Sequence, residues 1–166
     1  MSTPGEQLLA LNEPLTKFRF LVTLAPADVY LPPAQALLLQ AVAAGAFQEV
    51  TGMGAQLEVV TYAEGGRNDS VHRLPLRHSW NPITLKRGVV RDRLLWSWYE
   101  TGLHDSLGAR RDGAVIMLDQ AGVPAKSWIF HGGLAAKWTG PDLHGEQNAV
   151  AIESLEIAHE GLTAVL

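Results

Sequence analysis

Apolar and polar residues alternate along much of this chain, and the alternation predicts strands. Residues 57–62 (LEVVTY) repeat with a period near two and are rich in β-branched side chains, which favours a strand over a helix. In residues 18–24 the apolar side chains share one parity and most polar ones the other, as in a half-buried strand. Residues 83–87 predict another short strand, which we expect Gly88 to end.

Turn-forming residues separate the predicted strands. Residues 64–69 (EGGRND) combine adjacent glycines with Asn and Asp, which tolerate a positive φ, so we expect the chain to reverse there and to return over 71–74. We expect 103–113, with its Asp-Gly pair, to be a loop, and 162–166 to be a terminal strand or an arm. Further strands are predicted at 114–118, 123–130, 134–138 and 149–158, with turns at 119–122, 132–133 and 140–142 and a polar loop at 142–148.

The parity of apolar residues changes along the last of these strands. Val150 and Ile152 fall on one parity, whereas Leu155 and Ile157 fall on the other. The pattern predicts either a strand with both faces buried or a bulge that shifts the register near Ser154.

Two segments carry helical signals. Asp92 is a suitable N-cap for a helix over 93–102, in which Trp96 falls away from the apolar face. That face comprises Leu94, Leu95, Trp98 and Tyr99. Residues 34–44 are rich in Ala, Leu and Gln between a proline and a glycine, which predicts a short inserted helix. Because this second segment is apolar almost all round, it packs either on the barrel or against a neighbouring subunit.

These elements predict a mainly β fold in a single domain over residues 1–166. About eight antiparallel strands, one flanking helix and one inserted short helix are typical of a β-barrel or sandwich with helical decoration. We expect residues 1–16 to form an N-terminal arm and 25–46 to form the inserted loop and helix. A chain of 166 residues is long enough to bury a core without disulfides or metals.

Composition narrows the choice of function. A hydrophobic content of 47% and a charged content of 18% are ordinary for a globular domain. The chain has no cysteine, which excludes disulfides, thiolate metal sites and cysteine nucleophiles and suits the cytoplasm. A net charge of −4 argues against a phosphate-binding surface. We expect no signal peptide, and the longest apolar run, 34–47, is shorter than the ~20 residues of a membrane span.

No pattern in the chain indicates an enzyme, a cofactor or a metal site. The six histidines show neither H-x-H nor H-E-x-x-H spacing. The run GGR at 65–67 lacks the Lys-Ser/Thr ending of a phosphate loop, and no G-x-S-x-G occurs. Glu153 and Glu156 lie three apart on a predicted strand and therefore face opposite sides, so they do not form an acid–base pair.

Several short runs, in order along nearly the whole chain, resemble the tail tube proteins of contractile phage tails and of phage-like contractile injection systems. The runs are 47–52 (FQEVTG), 64–69 (EGGRND), 85–88 (LKRG), 137–141 (KWTGP), 149–153 (AVAIE) and 157–162 (IAHEGL). The resemblance implies an antiparallel barrel flanked by a helix, in a homo-hexameric ring that stacks into a tube. It also implies cytoplasmic assembly with sheath, baseplate hub or spike, and tube-end proteins. DNA or protein cargo would pass through the lumen without specific binding, and no membrane insertion is expected.

The resemblance leaves two roles open within this family. The main tube subunit is the first, with exposed strand edges serving as the assembly interface. The segment 25–46 is longer than the usual connection, which favours as an alternative a tube initiator or end ring that joins the tube to the baseplate hub. The candidate contacts between subunits are Phe47, Glu49, Glu64, Arg67, Asp69, Lys86, Arg87, Leu37 and Leu38.

The basic residues Lys86 and Arg87 are expected to be solvated or salt-bridged. If they sit at a ring contact, reversing either charge is expected to weaken ring or tube formation and to leave the monomer folded. Outside the tube family, a ligand-binding β-barrel is the alternative, although the apolar inward positions are enough to fill a small barrel. An enzyme on a β scaffold is a third hypothesis, and no group of catalytic residues in the sequence supports it.

Overall fold

The computed structural model describes residues 19–24, 47–63, 65–66, 70–104, 110–146 and 148–165. Within these ranges the chain forms nine strands and one helix. The predicted N-terminal arm at 1–16 and the inserted helix at 34–44 lie outside the described residues. The strands are β1 Phe20–Leu24, β2 Glu49–Thr51, β3 Ala55–Tyr62, β4 His72–Trp80, β5 Ile83–Gly88, β6 Arg111–Leu118, β7 Pro124–Thr139, β8 Ile152–Ala158 and β9 Gly161–Ala164, and the helix, α1, is Leu94–His104.

Seven strands form one antiparallel sheet in the order β1-β6-β7-β8-β5-β2, with β9 also paired to β7. The long strand β7 belongs to two layers, because its first half pairs with β6 and β9 and its second half pairs with β8. Buried side chains from both layers and from α1 meet in one cluster, so the sheet folds over its own core. The predicted mainly β fold with a flanking helix is confirmed.

Alternating burial on β5 and β8 builds the centre of that core. On each strand, every second residue is buried, as the period of a strand with one inward face requires. The buried residues face one another across the antiparallel ladder, and burying each large aliphatic side chain stabilises the fold by about 1.5–3 kcal/mol. The facing pairs are Ile83 with Ile157, Leu85 with Leu155, and Arg87 with Glu153.

The helix α1 packs its apolar face against the core, as the sequence predicts. The Asp92 carboxylate accepts a hydrogen bond from the Leu94 N–H at 3.0 Å, which confirms the expected N-cap. Leu95 and Trp98 are completely buried. The helix continues to His104 instead of ending near residue 102, and a histidine in the last turn is compatible with the negative end of the helix dipole.

The expected loop at 103–113 is wrong at its C-terminal end, because β6 already begins at Arg111. Asp112 does not make a turn; its Oδ1 accepts a hydrogen bond from the Gly132 N–H at 2.8 Å. A Cβ at Gly113 would lie 2.4 Å from the Phe130 ring and 2.6 Å from the Thr23 carbonyl oxygen. Glycine is therefore required for close packing inside a strand, a use that an Asp-Gly pair in sequence does not distinguish from a turn.

The glycines at 132–133 do not break the chain as predicted. β7 runs without interruption from Pro124 to Thr139. The strand changes partners in this region, where Arg111 pairs with Gly133 and the ladder to β8 begins at Leu134. Glycines in a strand often mark such a bend between layers, because they remove the side chains that would collide there.

Neither alternative for the last long strand is correct. β8 begins at Ile152, and its pairing with β5 continues through Ser154 without a shift. Val150 precedes the strand and Ile152 starts it, and both are exposed. Val150 and Ile152 differ in parity from Leu155 and Ile157 because they lie before and at the start of the strand, outside the buried face, and not because of a bulge. The alternative of a terminal strand near 162–166 is confirmed by β9.

The predicted hairpin is present, and it is longer than expected. β3 and β4 pair antiparallel in a two-stranded sheet of their own. β4 extends to Trp80, past the expected return strand at 71–74, although it contains Pro75. The register shifts between Leu57 and Val59, opposite this stretch. Proline is tolerated at such irregular positions, because no ladder hydrogen bond from its nitrogen is required.

Candidate assembly surface

The hairpin β3–β4 is the most exposed element of the described chain. Every residue of β3 and every residue of β4 except Trp80 is exposed. Six of its large apolar side chains retain between 42% and 59% of their accessible surface. These residues are Leu57, Val59, Val60, Tyr62, Leu74 and Leu76. The surface they form is called the hairpin surface below.

The register distributes these apolar residues over both faces of the hairpin. Val59 pairs with Pro75 and Val60 pairs with Leu74. Because side chains alternate between faces along a strand, these two consecutive apolar pairs lie on opposite faces. A two-stranded hairpin on its own is only marginally stable in water. The hairpin surface is therefore suited to burial against another surface on both sides.

The ends of the seven-stranded sheet lie beside a groove. In the described part of the chain, β1 pairs only with β6, and β2 pairs only with β5. A groove of about 550 Å³ is lined by residues of β1, β2 and β6, among them Phe20, Val50 and Met117. Among the residues that the structure describes, the expected open strand edges are thus present, and the sheet does not close into a continuous barrel.

The predicted contact residues Glu49 and Lys86 form an ion pair within the protomer. They lie directly opposite each other on β2 and β5. The Lys86 Nζ donates to the Glu49 Oε2 at 3.0 Å, and the two side chains remain 42% and 47% exposed. An ion pair this exposed contributes at most about 1 kcal/mol to folding, so both charges are accessible for a contact with another subunit.

Arg87, by contrast, is buried, with only 1% of its side chain exposed. The expectation that it is salt-bridged is confirmed, but a solvated Arg87 is wrong. Its Nε donates to the Glu153 Oε1 at 2.8 Å, and its two terminal nitrogens donate to the Asp92 carboxylate at 3.1 and 2.7 Å. The expectation that its charge could be reversed in a folded monomer is therefore also wrong, because two carboxylates would face the new one.

The electrostatics of this cluster follow from its geometry. Burial alone would lower the pKa of Arg87, but hydrogen bonds and charge from Asp92 and Glu153 outweigh burial and leave that pKa raised. The hydrogen bond from Arg87 holds the pKa of the Asp92 carboxyl below its usual value. Arg87 and Asp92 are consequently charged throughout the physiological pH range.

Sequence reasoning missed the partners that complete this cluster. The Trp138 Nε1 donates to the second oxygen of Glu153 at 3.2 Å, and the Trp138 ring meets Trp96 of α1 edge to face, with centroids 4.8 Å apart. The cluster therefore links β5, β7, β8 and α1. The residues that meet here are separated by dozens of positions along the chain. The one indication in the sequence is that Glu153 falls on the same parity as the apolar residues Leu155 and Ile157 of β8, which places it on the buried face.

The remaining contact candidates fall into two groups. Phe47 packs partly buried against the core, and the Arg87 guanidinium carbon lies 5.9 Å from the centre of its ring. Its role within the protomer is thus clear, whereas its role between subunits stays a prediction. The others, Glu64, Arg67, Asp69, Leu37 and Leu38, lie outside the described residues.

The described residues contain no group of three or more His, Asp or Glu side chains that could hold a metal ion. Among the helices of the same residues, none is long and apolar enough to cross a membrane. The features of this surface are exposed apolar strands, open sheet edges and an accessible ion pair. Such features serve contact between proteins.

The family model of the T4-like virus tail tube protein gp19 matches residues 16–163. This chain belongs to that family. The match extends over almost the whole chain, including the segment 25–46, so the membership does not rest on one motif. The resemblance found in the short sequence runs is confirmed, and the chain is a structural tail tube protein.

Solved structures of contractile particles contain chains with the same fold. A chain in the cryo-EM structure of the anti-feeding prophage (AFP) baseplate, 6-fold symmetrised, is 23% identical, with a TM-score of 0.76 and coverage of 93% of this chain and 97% of that chain. A chain in the extended PVC sheath-tube complex of an extracellular contractile injection system is 19% identical, with a TM-score of 0.72 and 99% of each chain covered.

A chain in the structure of the AFP tube terminating cap is 18% identical to this family member, with a TM-score of 0.72 and coverage of 93% of this chain and 92% of that chain. At sequence identities this low, the similarity to these structures shows that the chains share a fold. Among curated proteins, no sequence matches the chain.

Proposed function

We propose that copies of this tail tube protein form hexameric rings that stack into the inner tube of a contractile phage tail or phage-like contractile injection system. The observation that carries the proposal is the hairpin surface, which is apolar on both faces and exposed in the protomer. The hairpin would be stabilised if neighbouring copies buried its apolar side chains.

The open edges of the sheet support assembly from identical copies. A ring closes when each copy presents one surface to the next copy and a different surface to the previous one. The edges of β1 and β2 differ in sequence and in neighbours, so they suit such a heterologous contact. Stacking of rings in one direction then gives an open filament, which is the geometry of a tube.

The proposed tube conducts cargo and performs no catalysis. Its net charge of −4 disfavours attraction of phosphates, so DNA or a protein cargo could pass without specific binding. We propose a sheath protein, a baseplate hub or spike and tube-end proteins as its partners, after assembly in the cytoplasm. The chains of similar fold in AFP baseplate and PVC sheath-tube structures support these partners.

A charge placed on the hairpin surface tests the proposal. We expect Leu74→Glu to abolish rings and tubes, because a carboxylate would be desolvated in the interface, and to leave the protomer folded. The matched control is Leu143→Glu, since Leu143 is 79% exposed in a loop outside the hairpin. Light scattering after size exclusion and negative-stain microscopy measure assembly, and circular dichroism checks the fold.

Two outcomes would contradict the assembly proposal. One is a wild-type chain that stays monomeric at high concentration under conditions in which it is folded. The other is Leu74→Glu protein that forms the same rings as the wild type. Loss of assembly in both Leu74→Glu and Leu143→Glu would show that added charge, and not the hairpin surface, is responsible.

The alternative role is a tube initiator or end ring. It is favoured by the chains of similar fold in the AFP baseplate and tube terminating cap structures, whose TM-scores of 0.76 and 0.72 equal or exceed that for the sheath-tube complex. The length of the assembly distinguishes the roles. A main tube subunit alone is expected to form long tubules, whereas an end ring is expected to stop at single rings.

A further inference from the structure

Asn81 is the residue at which the hairpin joins the body of the protein. Its N–H donates to the Gly54 carbonyl oxygen at 3.0 Å, one step beyond the last hairpin pair, Ala55 with Trp80. Two residues later, Ile83 starts the ladder between β5 and β8. Whatever holds the Asn81 backbone therefore determines how the hairpin is attached to the core.

The imidazole ring of His159 is held against this joint. Its Nε2 lies 3.0 Å from the Asn81 carbonyl oxygen, and its Nδ1 lies 3.0 Å from the Gly161 carbonyl oxygen. The ring centre is 5.8 Å from that of Trp80, the last hairpin residue, and 6.4 Å from that of Phe130, which is fully buried in the core. His159 thus lies between the hairpin and the core.

Both hydrogen-bond partners of this ring are acceptors. A carbonyl oxygen cannot donate, so each contact requires a proton on the ring nitrogen. A neutral imidazole carries one such proton, and in either tautomer its other nitrogen would present a lone pair to a carbonyl oxygen. The imidazolium carries both protons and satisfies both contacts. Only the doubly protonated ring can therefore donate to both carbonyl oxygens at once.

We propose that His159 is a proton-dependent clamp that fixes the base of the hairpin β3–β4 to the protein core. The protonated ring bonds to Asn81 and Gly161 together, and loss of one proton removes one of the two bonds. The clamp is therefore complete when both ring nitrogens carry a proton and weakened when only one does.

The charged and titratable groups nearest the clamp come from the surrounding elements. On β4, His78 packs against the Trp80 ring, with centroids 4.5 Å apart. In the turn after β8, the Glu160 carboxylate pairs with Arg110. On β7, His131 lies near the carboxylate of Asp112 of β6. In the described part of the chain, none of these groups bonds to the His159 ring, so the two carbonyl oxygens are its polar partners.

The clamp does not depend on the proposed assembly, because it is formed within one protomer. If the hairpin surface is also the assembly contact, its attachment and therefore ring formation should be favoured when the His159 ring carries both protons. A monomeric protein with a pH-dependent hairpin would retain the clamp and overturn only the assembly proposal.

The protonation state of the ring is the first test. In full-length protein labelled with ¹⁵N, the chemical shifts of the two ring nitrogens of His159 distinguish the imidazolium from either neutral tautomer. We expect both nitrogens to carry protons at pH 5.5 and one proton to be lost on raising the pH to 8. A ring that is neutral at pH 5.5 would overturn the proposal.

Hydrogen exchange of the hairpin base is the second test. We expect the protection factor of the Asn81 amide, corrected for the intrinsic pH dependence of exchange, to fall roughly three- to tenfold between pH 5.5 and 8, the effect of about one hydrogen bond. In His159→Phe, which keeps an aromatic ring without donors, the protection should be low and independent of pH.

His78→Phe is the matched control, because it removes the other histidine beside Trp80 and leaves the clamp in place. It should retain the pH dependence of the wild type. Equal protection at both pH values in the wild type, or the same pH dependence in His159→Phe, would overturn the proposal. The wild-type measurements decide the question even if a variant fails to fold.

Discussion

At the scale of single residues, Arg87 shows how one buried charge connects distant parts of the fold. It stands on β5, and its partners are Glu153 on β8 and Asp92 at the start of α1. Asp92 also caps the helix, so the same carboxylate fixes both the guanidinium and the first turn. A buried ion pair is costly to break, because the charge left behind has lost its hydration.

We expect Arg87→Ala to destabilise the folded protomer by about 3–5 kcal/mol, since Glu153 would remain buried without its ion pair. Chemical denaturation followed by tryptophan fluorescence measures the change. Lys86→Ala is the neighbouring control, and its exposed pair should cost less than about 1 kcal/mol. Similar effects for the two substitutions would show that the buried cluster adds no special stability.

At the scale of elements, the corner between β2 and β3 is controlled by Gly52. Its φ of +84° is in the left-handed region, and a Cβ there would lie only 1.9 Å from the Pro82 carbonyl oxygen. Pro82 belongs to the connection between β4 and β5, so the two ends of the hairpin pass each other at this glycine. The corner thereby sets the direction in which the hairpin leaves the core.

Gly52→Ala should be more destabilising than Gly66→Ala. Gly66 has a similar φ of +91°, but a Cβ there would meet nothing within 4 Å. Both substitutions should cost about 1–2 kcal/mol for the left-handed backbone. Gly52→Ala should cost more because of the collision with Pro82. Equal losses in denaturation midpoints would mean that the corner relaxes freely.

At the scale of the whole molecule, the described part of the protomer leaves the strands of the hairpin exposed and both ends of its main sheet open. The groove at those ends includes Glu49, whose partner Lys86 is also accessible. The core of the protomer is closed by α1, and the proposed association would cover the remaining surfaces.

Exchanging the charges of this pair separates contact within the protomer from contact between subunits. We expect Lys86→Glu to weaken ring formation and to leave the fold intact. The double variant Glu49→Lys with Lys86→Glu restores the internal pair, and we expect it to remain deficient in assembly. Light scattering and negative-stain microscopy at low and high salt are the measurements.

The opposite results would assign the pair a different role. Full recovery of assembly in the double variant would place its function inside the protomer. Unchanged assembly in Lys86→Glu would remove Lys86 from the contact between subunits.

The amino-acid sequence by itself determined the elements whose signals are local. The alternation in 57–62 and 83–87 predicts β3 and β5, and Asp92 marks the start of α1. These predictions succeed because strand periodicity and helix capping depend on residues a few positions apart. The short runs spread along the chain also resemble the tail tube family, and the match of residues 16–163 to its family model confirms that resemblance.

Only the tertiary structure decided the features that depend on distant neighbours. It buried Arg87 between two carboxylates and used Gly113 for close packing against Phe130 inside a strand. It also left both faces of β3 exposed, although the apolar alternation of this strand is like that of a core strand. The physical reason is the same in each case. Burial and pairing depend on which surfaces meet in space, and the local pattern of a segment does not contain its partner.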